Sequence, residues 1–179
     1  ANKGVASVSV KELADAAGVN VALISYYFGG KDNLYAFVLE QQLALLGDTL
    51  DEIDHTESCP VAKIRRFANF VAVVHKENPY MDRLFFSELT NPTKCFDSLV
   101  IKAVNKLHFF LIKCITDAMA NGQFRADLRP EFAAIALIKI LDLSFIDMLL
   151  FKENLPSNHN IIEGYSSQAL DIYLRGVSA

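Results

Sequence analysis

The sequence predicts an all-α protein, with a small helix-turn-helix at its N-terminal end and a larger helical bundle after it. Apolar residues recur at helical spacing along most of the 179 residues, and no stretch alternates long enough to indicate a strand. Glycine, proline and polar clusters divide this pattern into segments of helical length. The apolar fraction of 52% is sufficient for a sizeable core.

The first helix is predicted from a capping box at Ser9. The Ser9 hydroxyl can accept a hydrogen bond from the backbone N–H of Glu12, while the Glu12 carboxylate can accept one from the N–H of Ser9. Gly18 ends this helix because glycine tolerates the left-handed conformation. Asn20 is a suitable N-cap for a second helix that ends near Phe28. Two short helices around a glycine turn have the spacing of a helix-turn-helix.

Six further helices are predicted after residue 30. They span residues 31 to about 51, 61–78, 79–89, 94–121, 130–152 and 161–176. Pro79 and Pro130 begin two of these helices, because proline costs nothing at a first position whose N–H has no helical partner. The polar segment 54–60 ends in proline and is expected to be a linker.

Charge and cysteine content limit the classes of function. The formal net charge of −4 is spread along the chain without an acidic tail or a lysine run, so binding of nucleic acid would have to come from a local site. The three cysteines form no CxxC pair, which argues against a disulfide framework or a zinc site and favours a reducing cytoplasm. His55 and Cys59 have ligand spacing without a third ligand nearby. We expect no metal and no cofactor.

A membrane location is not expected. The one long apolar stretch, residues 132–151, is interrupted by Lys139, Asp142 and Asp147, each costing about 2.5–3.5 kcal/mol at a bilayer centre. The stretch is therefore interpreted as a buried helix. The N-terminus has no signal-peptide pattern, and its first residues look like the interior of a longer gene product.

The most specific signal lies within residues 4–34, which resemble the DNA-binding signature of the tetracycline-repressor (TetR) family in both order and spacing. Helix-turn-helix spacing alone occurs in many helical proteins, so the aromatic residues followed by Phe28, Lys31, Asp32 and Leu34 make the resemblance specific. The matching residues are Gly4; Ser9, Val10, Lys11, Glu12, Leu13 and Ala14; Ala17, Gly18, Val19 and Asn20; and Tyr26, Tyr27, Phe28, Gly29, Gly30, Lys31, Asp32, Asn33 and Leu34.

The resemblance implies two domains. Residues 1–46 would form a helix-turn-helix DNA-binding domain that is truncated, because most of the family's first helix would precede Ala1. Residues 47–179 would form a ligand-sensing and dimerisation domain. Residues 1–40 contain three lysines against four acidic residues, which is a poor balance for binding DNA.

The resemblance also implies that residues 20–28 form the recognition helix, which enters the major groove of double-stranded operator DNA. Val19, Leu23, Ile24 and Phe28 are expected to pack inward. Base contacts are expected from the outward side, and phosphate contacts from the helix starts and from Tyr27. The complete expected DNA-binding set is Ser9, Asn20, Val21, Ala22, Ser25, Tyr26, Tyr27 and Lys31.

Bulky apolar residues on neighbouring helices are compatible with either a dry, fully packed core or an internal cavity, and the family resemblance implies a cavity for a small hydrophobic or aromatic effector. Such pockets are mostly apolar, with a few polar groups that orient the ligand. The expected polar groups are His75, His108 and Asp142. The apolar lining is expected from Phe67, Phe70, Val74, Met81, Phe85, Leu107, Leu111 and Phe145.

A homodimer is expected because the segment 130–152 carries apolar residues around most of its circumference. One side can pack inside the chain, and a two-fold copy can cover the other. Burial at the centre of a monomer is the alternative. The expected interface consists of Ile138, Leu141, Leu149, Tyr165, Ala169 and Ile172.

These expectations combine into a ligand-responsive DNA-binding transcriptional regulator, a repressor that a small hydrophobic molecule releases from its operator. The alternative is a helical small-molecule carrier without DNA binding, against which the helix-turn-helix signature argues. An enzyme on a helical scaffold is not expected, because the sequence lacks a convincing catalytic constellation.

Overall fold

The computed structural model describes residues 8–78, 80–143, 145–151, 153–155 and 161–179, with the side chains of all but Asp82, Phe145, Ile146 and Leu149. These residues form helices and no named strand, which confirms the all-α prediction. A π-helical segment, Phe96–Val100, runs directly into the sixth α-helix. The α-helices are α1 (Val10–Ala17), α2 (Val21–Phe28), α3 (Lys31–Thr56), α4 (Pro60–Glu77), α5 (Met81–Thr90), α6 (Ile101–Ala120), α7 (Pro130–Leu141), α8 (Phe145–Leu150) and α9 (Ile161–Val177).

The main core surrounds α6. Leu111 and Ile115 of α6 are fully buried, and they pack with the second half of α3 and with α4, α7 and α9. Ile64 and Leu137 bring the apolar faces of α4 and α7 into the same cluster. This arrangement leaves α1 and α2 outside the main core, next to the first half of α3.

A second, smaller core joins the first half of α3 to α5 and the π-helical segment. Leu39 of α3 is fully buried against Cys95 and Val100, and Phe85 of α5 packs at the edge of this cluster. Because α3 is one continuous helix through residue 46, the predicted domain boundary falls inside it.

Several predicted bounds are wrong. Helix α3 continues to Thr56, so the linker predicted at 54–60 shrinks to residues 57–59. The helix predicted over 130–152 ends at Leu141: Asp142 adopts extended backbone angles, and the N–H of Leu143 donates to the Leu141 carbonyl at 3.1 Å. The break buries the Leu143 side chain, which packing favours although the local sequence contains no glycine or proline. Within the described part of the chain, none of the helices is long and apolar enough to cross a membrane.

Candidate nucleic-acid interface

Helix α1 begins with the predicted capping box. The Ser9 hydroxyl accepts from the N–H of Glu12 at 3.1 Å, and the N–H of Ser9 donates to the Glu12 carboxylate at 2.8 Å. Both groups at this helix start therefore have partners within the chain. A phosphate contact from Ser9 would have to share the hydroxyl that already serves as the cap.

The turn between α1 and α2 depends on Gly18. Its φ of 66° is left-handed, which the absence of a Cβ makes accessible, and no neighbouring atom lies within 4 Å of a Cβ placed there. Asn20 then caps α2, because its Oδ1 accepts from the N–H of Ala22 at 2.8 Å. Residues of the turn itself therefore cap the end of α1 and the start of α2.

Helix α2 is held against the start of α3. Gly29 and Gly30 both adopt positive φ angles between the two helices. The rings of Phe28 and Phe37 lie 5.6 Å apart between centroids. The Lys31 ammonium donates to the Val8 carbonyl at 3.1 Å, which ties the segment just before α1 to the first turn of α3. The orientation of α2 therefore follows that of α3.

The outward face of α2 carries the side chains that were predicted to read DNA. Tyr26 is 81% exposed and Tyr27 is 71% exposed, and their rings meet edge to face at 5.0 Å between centroids. Val21, Ala22 and Ser25 are also exposed. Such exposure is what a recognition helix requires, while contact with DNA stays a prediction.

The predicted inward face of α2 is only partly correct. Ile24 is buried and Phe28 is half-buried, but Val19 and Leu23 remain 41% and 42% exposed. Two helices of eight residues each bury little, and among the described residues only Ala14 and Ile24 of α1 and α2 are fully enclosed. The placement of Val19 and Leu23 in a packed core is therefore corrected.

The predicted ligand residues do not line either of the described cavities. Phe67 and Leu111 are buried in the main core, with Phe70 and Leu107 packed against it, and Phe85 belongs to the second cluster. Val74, His75 and Met81 are half-buried, whereas Phe145 has no described side chain. Their role in binding a ligand stays a prediction.

Two of the predicted polar ligand groups lie at the edge of the bundle. His108 is half-buried, and its Nε2 lies 3.2 Å from the Glu131 carbonyl, so this nitrogen already contacts α7. Asp142 is exposed at the break between α7 and α8. This exposed position does not place Asp142 inside an enclosed ligand pocket.

The described cavities lie elsewhere. A groove of about 1030 Å³ separates α4 from α9, with Ala68, Ala72 and Gly164 among its lining residues and Arg65 and Asp171 also present. A smaller cavity of about 240 Å³ lies between α3 and α6. Small residues on facing helices were the sequence signal for the larger groove, and a search for bulky apolar residues overlooks it.

The predicted dimer surface needs correction at two positions. Leu141 is 1% exposed and Ala169 is 5% exposed, so both are enclosed within the single chain and offer no area to a second copy. Ile138 is half-buried, and the Tyr165 hydroxyl donates to the Ile140 carbonyl at 2.9 Å. Leu149 has no described side chain. Ile172 is 59% exposed, as an interface residue must be.

Exposed apolar residues that were not predicted lie on α7. Phe132 is 65% exposed under the guanidinium of Arg129, and Ile135 is 47% exposed one turn later. α7 and α9 pack together, and the Tyr173 hydroxyl bonds the Ala133 carbonyl. We call Phe132, Ile135 and Ile172 the apolar surface of α7 and α9. The i, i+3 spacing of the first two residues was the available signal.

The chain matches known proteins at two levels. Its residues 1–38 match the sequence model described as "Bacterial regulatory proteins, tetR family". Its fold is similar to that of the ketosteroid transcriptional regulator KstR2 of Mycobacterium tuberculosis, with 14% identity, a TM-score of 0.79 and coverage of 99% of this chain and 88% of that chain. No curated protein matches the chain.

Two further solved structures share the fold. A putative fatty acid metabolism regulator of Clostridium perfringens has 19% identity and a TM-score of 0.77, covering 98% of this chain and 91% of that one. The TetR-family regulator PfmR of Thermus thermophilus has 18% identity and a TM-score of 0.77, covering 99% and 93%. At identities this low, the similarity shows the fold alone, a helix-turn-helix followed by a helical bundle, which agrees with the predicted fold class.

Proposed function

We propose that this chain, which belongs to the TetR family of bacterial regulatory proteins by its DNA-binding domain and its fold, is a repressor that a small hydrophobic molecule releases from operator DNA. Like the members of this family, it is a DNA-binding regulator and not an enzyme. The observation that carries the proposal is the exposed face of α2, where Tyr26 extends from a helix whose two ends are fixed by the chain itself.

DNA binding by this face is expected to depend on shape and hydrogen bonding more than on charge. We call α1, α2 and the first turn of α3 the reading region. Its described residues include few cationic side chains, and Lys31 already donates one hydrogen bond to the Val8 carbonyl. Tyr26 and Ser25 offer hydroxyl groups to base edges or phosphates, and Val21 can contact a thymine methyl group.

The test uses the full gene product and DNA from upstream of its gene. Replacing Tyr26→Ala should lower specific affinity by about tenfold to a hundredfold, because one good base contact is worth about 1–3 kcal/mol. Lys31→Ala should weaken binding to all sequences and reduce the salt dependence by about one phosphate contact. Tyr80→Ala, an exposed tyrosine outside the reading region, should bind like the wild type. Wild-type affinity in both reading variants would refute the assignment.

A homodimer supplies the second reading face. The apolar surface of α7 and α9 supports this proposal, because a two-fold copy of the same surface would remove its exposed side chains from water. Two recognition helices then read half-sites about 34–36 Å apart. A ligand that favours a different separation weakens operator binding.

The effector is proposed to be hydrophobic. Two proteins of the same fold are named for ketosteroid regulation and for fatty acid metabolism, and both names point to apolar compounds. Phe85 and Met81 of α5, with Phe70 of α4, are the half-buried residues proposed to contact the effector.

A thermal-shift screen with steroids and fatty acids tests the ligand proposal. A hit should stabilise the protein and weaken operator binding, and a tenfold effect corresponds to about 1.4 kcal/mol that must also appear in the ligand's affinity for the DNA complex. Phe85→Ala should reduce the shift, whereas Tyr80→Ala should leave it unchanged. Hits that stabilise the protein without changing DNA affinity would contradict ligand control.

A further inference from the structure

A fully buried carboxylate joins α3 to the end of α5. Glu88 has no exposed surface. The Tyr35 hydroxyl donates to its Oε1 at 2.8 Å, and the N–H of Thr93 donates to its Oε2 at 3.3 Å. The Thr93 hydroxyl lies 3.0 Å and 3.1 Å from the two carboxylate oxygens. Among the described residues, these partners are neutral hydroxyl and amide groups.

Tyr35 connects this carboxylate to the reading region. It lies one turn after the start of α3, where Lys31 is bonded to Val8. Two residues further on, the Phe37 ring packs on Phe28 of α2. A displacement of Tyr35 therefore moves the start of α3, and with it the residues that hold α1 and α2.

At the other end of this hydrogen bond, Glu88 belongs to the helical bundle that follows α3. It lies in the last turn of α5, and its second partner, Thr93, follows that helix. The Thr93 hydroxyl accepts from the N–H of Cys95 at 3.1 Å, immediately before the π-helical segment. Single π-helical turns inside helices are often found at functional positions. The carboxylate thus holds the end of α5, the following turn and the start of α3 together.

This arrangement costs more than apolar packing would. Burying a carboxyl group without an oppositely charged partner is unfavourable, and an apolar residue of similar volume often packs as well or better. Apolar contacts permit sliding, whereas hydrogen bonds require one geometry. Burial and the bond to Glu88 raise the pKa of Tyr35 well above its ordinary value, so its hydroxyl remains a donor at physiological pH.

We infer that Tyr35 and Glu88 are positioning residues, whose hydrogen bond fixes the angle between the helix-turn-helix of α1 and α2 and the bundle of helices that follows α3. In the dimer, that angle sets the separation of the two α2 helices. The pair therefore determines which half-site spacing the protein accepts. This last consequence rests on the proposed function, whereas the fixed angle itself does not.

The first experiment measures binding to operators whose centre is one or two base pairs longer or shorter. Each added base pair rotates a half-site by about 35°, so the wild type should lose about tenfold in affinity or more. Tyr35→Phe removes only the hydroxyl. The loss of affinity that this variant shows on the altered operators should be only about threefold, because a less rigidly held helix-turn-helix tolerates other spacings. Tyr173→Phe is the matched control, since its hydroxyl bonds the Ala133 carbonyl at 3.1 Å in the main core. It should keep the wild-type ratio.

The second experiment needs no DNA. Spin labels on Asp15→Cys of α1 and Thr116→Cys of α6, both exposed positions, report the angle within one chain when labelled protein is diluted with unlabelled protein. Cys59, the cysteine that is not buried, is replaced by Ser. Tyr35→Phe and Glu88→Gln should both broaden the distance distribution, and Tyr173→Phe should not.

An unchanged distribution in Tyr35→Phe, or an unchanged spacing preference in a protein that binds its operator, would overturn the positioning role. A broadened distribution in a protein that binds no DNA would support the fixed angle and refute the proposed function instead. The spacing preference separates positioning from stability, because a variant that is merely less stable loses affinity for all spacings equally.

Discussion

Asp54 shows how one side chain fixes three helices at the end of the bundle remote from α1 and α2. Its carboxylate bonds the buried Lys63 of α4 and also accepts from Lys113 of α6 at 3.0 Å. Hydrogen bonds from Lys63 and then Lys113 hold the pKa of Asp54 below its ordinary value. A lowered pKa means that this stabilisation is fully present above the ordinary carboxyl pKa and is lost as the pH falls from there through the lowered pKa of the folded state.

Asp54→Asn should therefore lower the free energy of unfolding by about 1–2 kcal/mol at neutral pH, since Lys63 keeps its burial and loses its counter-charge while water screens a carboxylate that is one-third exposed. Denaturant melts at pH 7 and pH 3 measure the difference, which should shrink at the lower pH. Asp127→Asn, which removes an exposed pair with Arg125, should change little at either pH. A difference that is undiminished at pH 3 would show that the charge is not the cause.

Helix α2 is an element whose order depends on one cap. Asn20→Ala removes the acceptor for the N–H of Ala22, which should destabilise this helix start by about 1 kcal/mol. Affinity for operator and unrelated DNA should fall by a similar factor, because the whole reading face loses order. Asn20→Ser retains a capping oxygen and should restore binding. Fluorescence anisotropy with both DNAs measures this, and a loss confined to operator DNA would instead indicate a base contact from Asn20.

The elements that could be predicted are those whose ends are encoded locally. The capping box at Ser9, the left-handed Gly18 and the N-cap at Asn20 involve residues at most four apart, so the sequence contains the whole interaction. The break after Leu141 has no such signal. It arises where burial of Leu143 outweighs helix continuation, which depends on helices distant in the sequence.

The same limit applies to the sites. The exposed face of α2 could be predicted because the helix is short and the preceding turn determines the direction of the helix. Which side of α7 faces outward could not be predicted, since this helix is apolar around much of its circumference. The tie between Tyr35 and Glu88 joins residues 53 positions apart. No local pattern indicates such a pair.

At the scale of the whole molecule, the net charge explains why the proposed mechanism relies on a dimer. A net charge of −4 gives no general attraction to DNA, so a single α2 face has only a few contacts to offer. Joining two such faces makes the second contact intramolecular, which can raise affinity by about 10²–10⁴ without any new type of contact. In the proposed mechanism, the dimer surface is therefore expected to affect operator affinity as strongly as the residues that contact DNA.

Ile172→Glu tests this dependence, because it places a charge in the apolar surface of α7 and α9 at a side chain that is 59% exposed in the single chain. The variant should fold, sediment as a monomer at micromolar concentration, and lose about a hundredfold in operator affinity. Leu45→Glu, at an exposed apolar position on α3, is the matched control and should remain dimeric with wild-type affinity. Sedimentation velocity and anisotropy on the same samples decide the matter. A dimeric Ile172→Glu protein would place the interface on another surface, and a monomer that binds its operator as tightly as the wild type would refute the paired half-site mechanism.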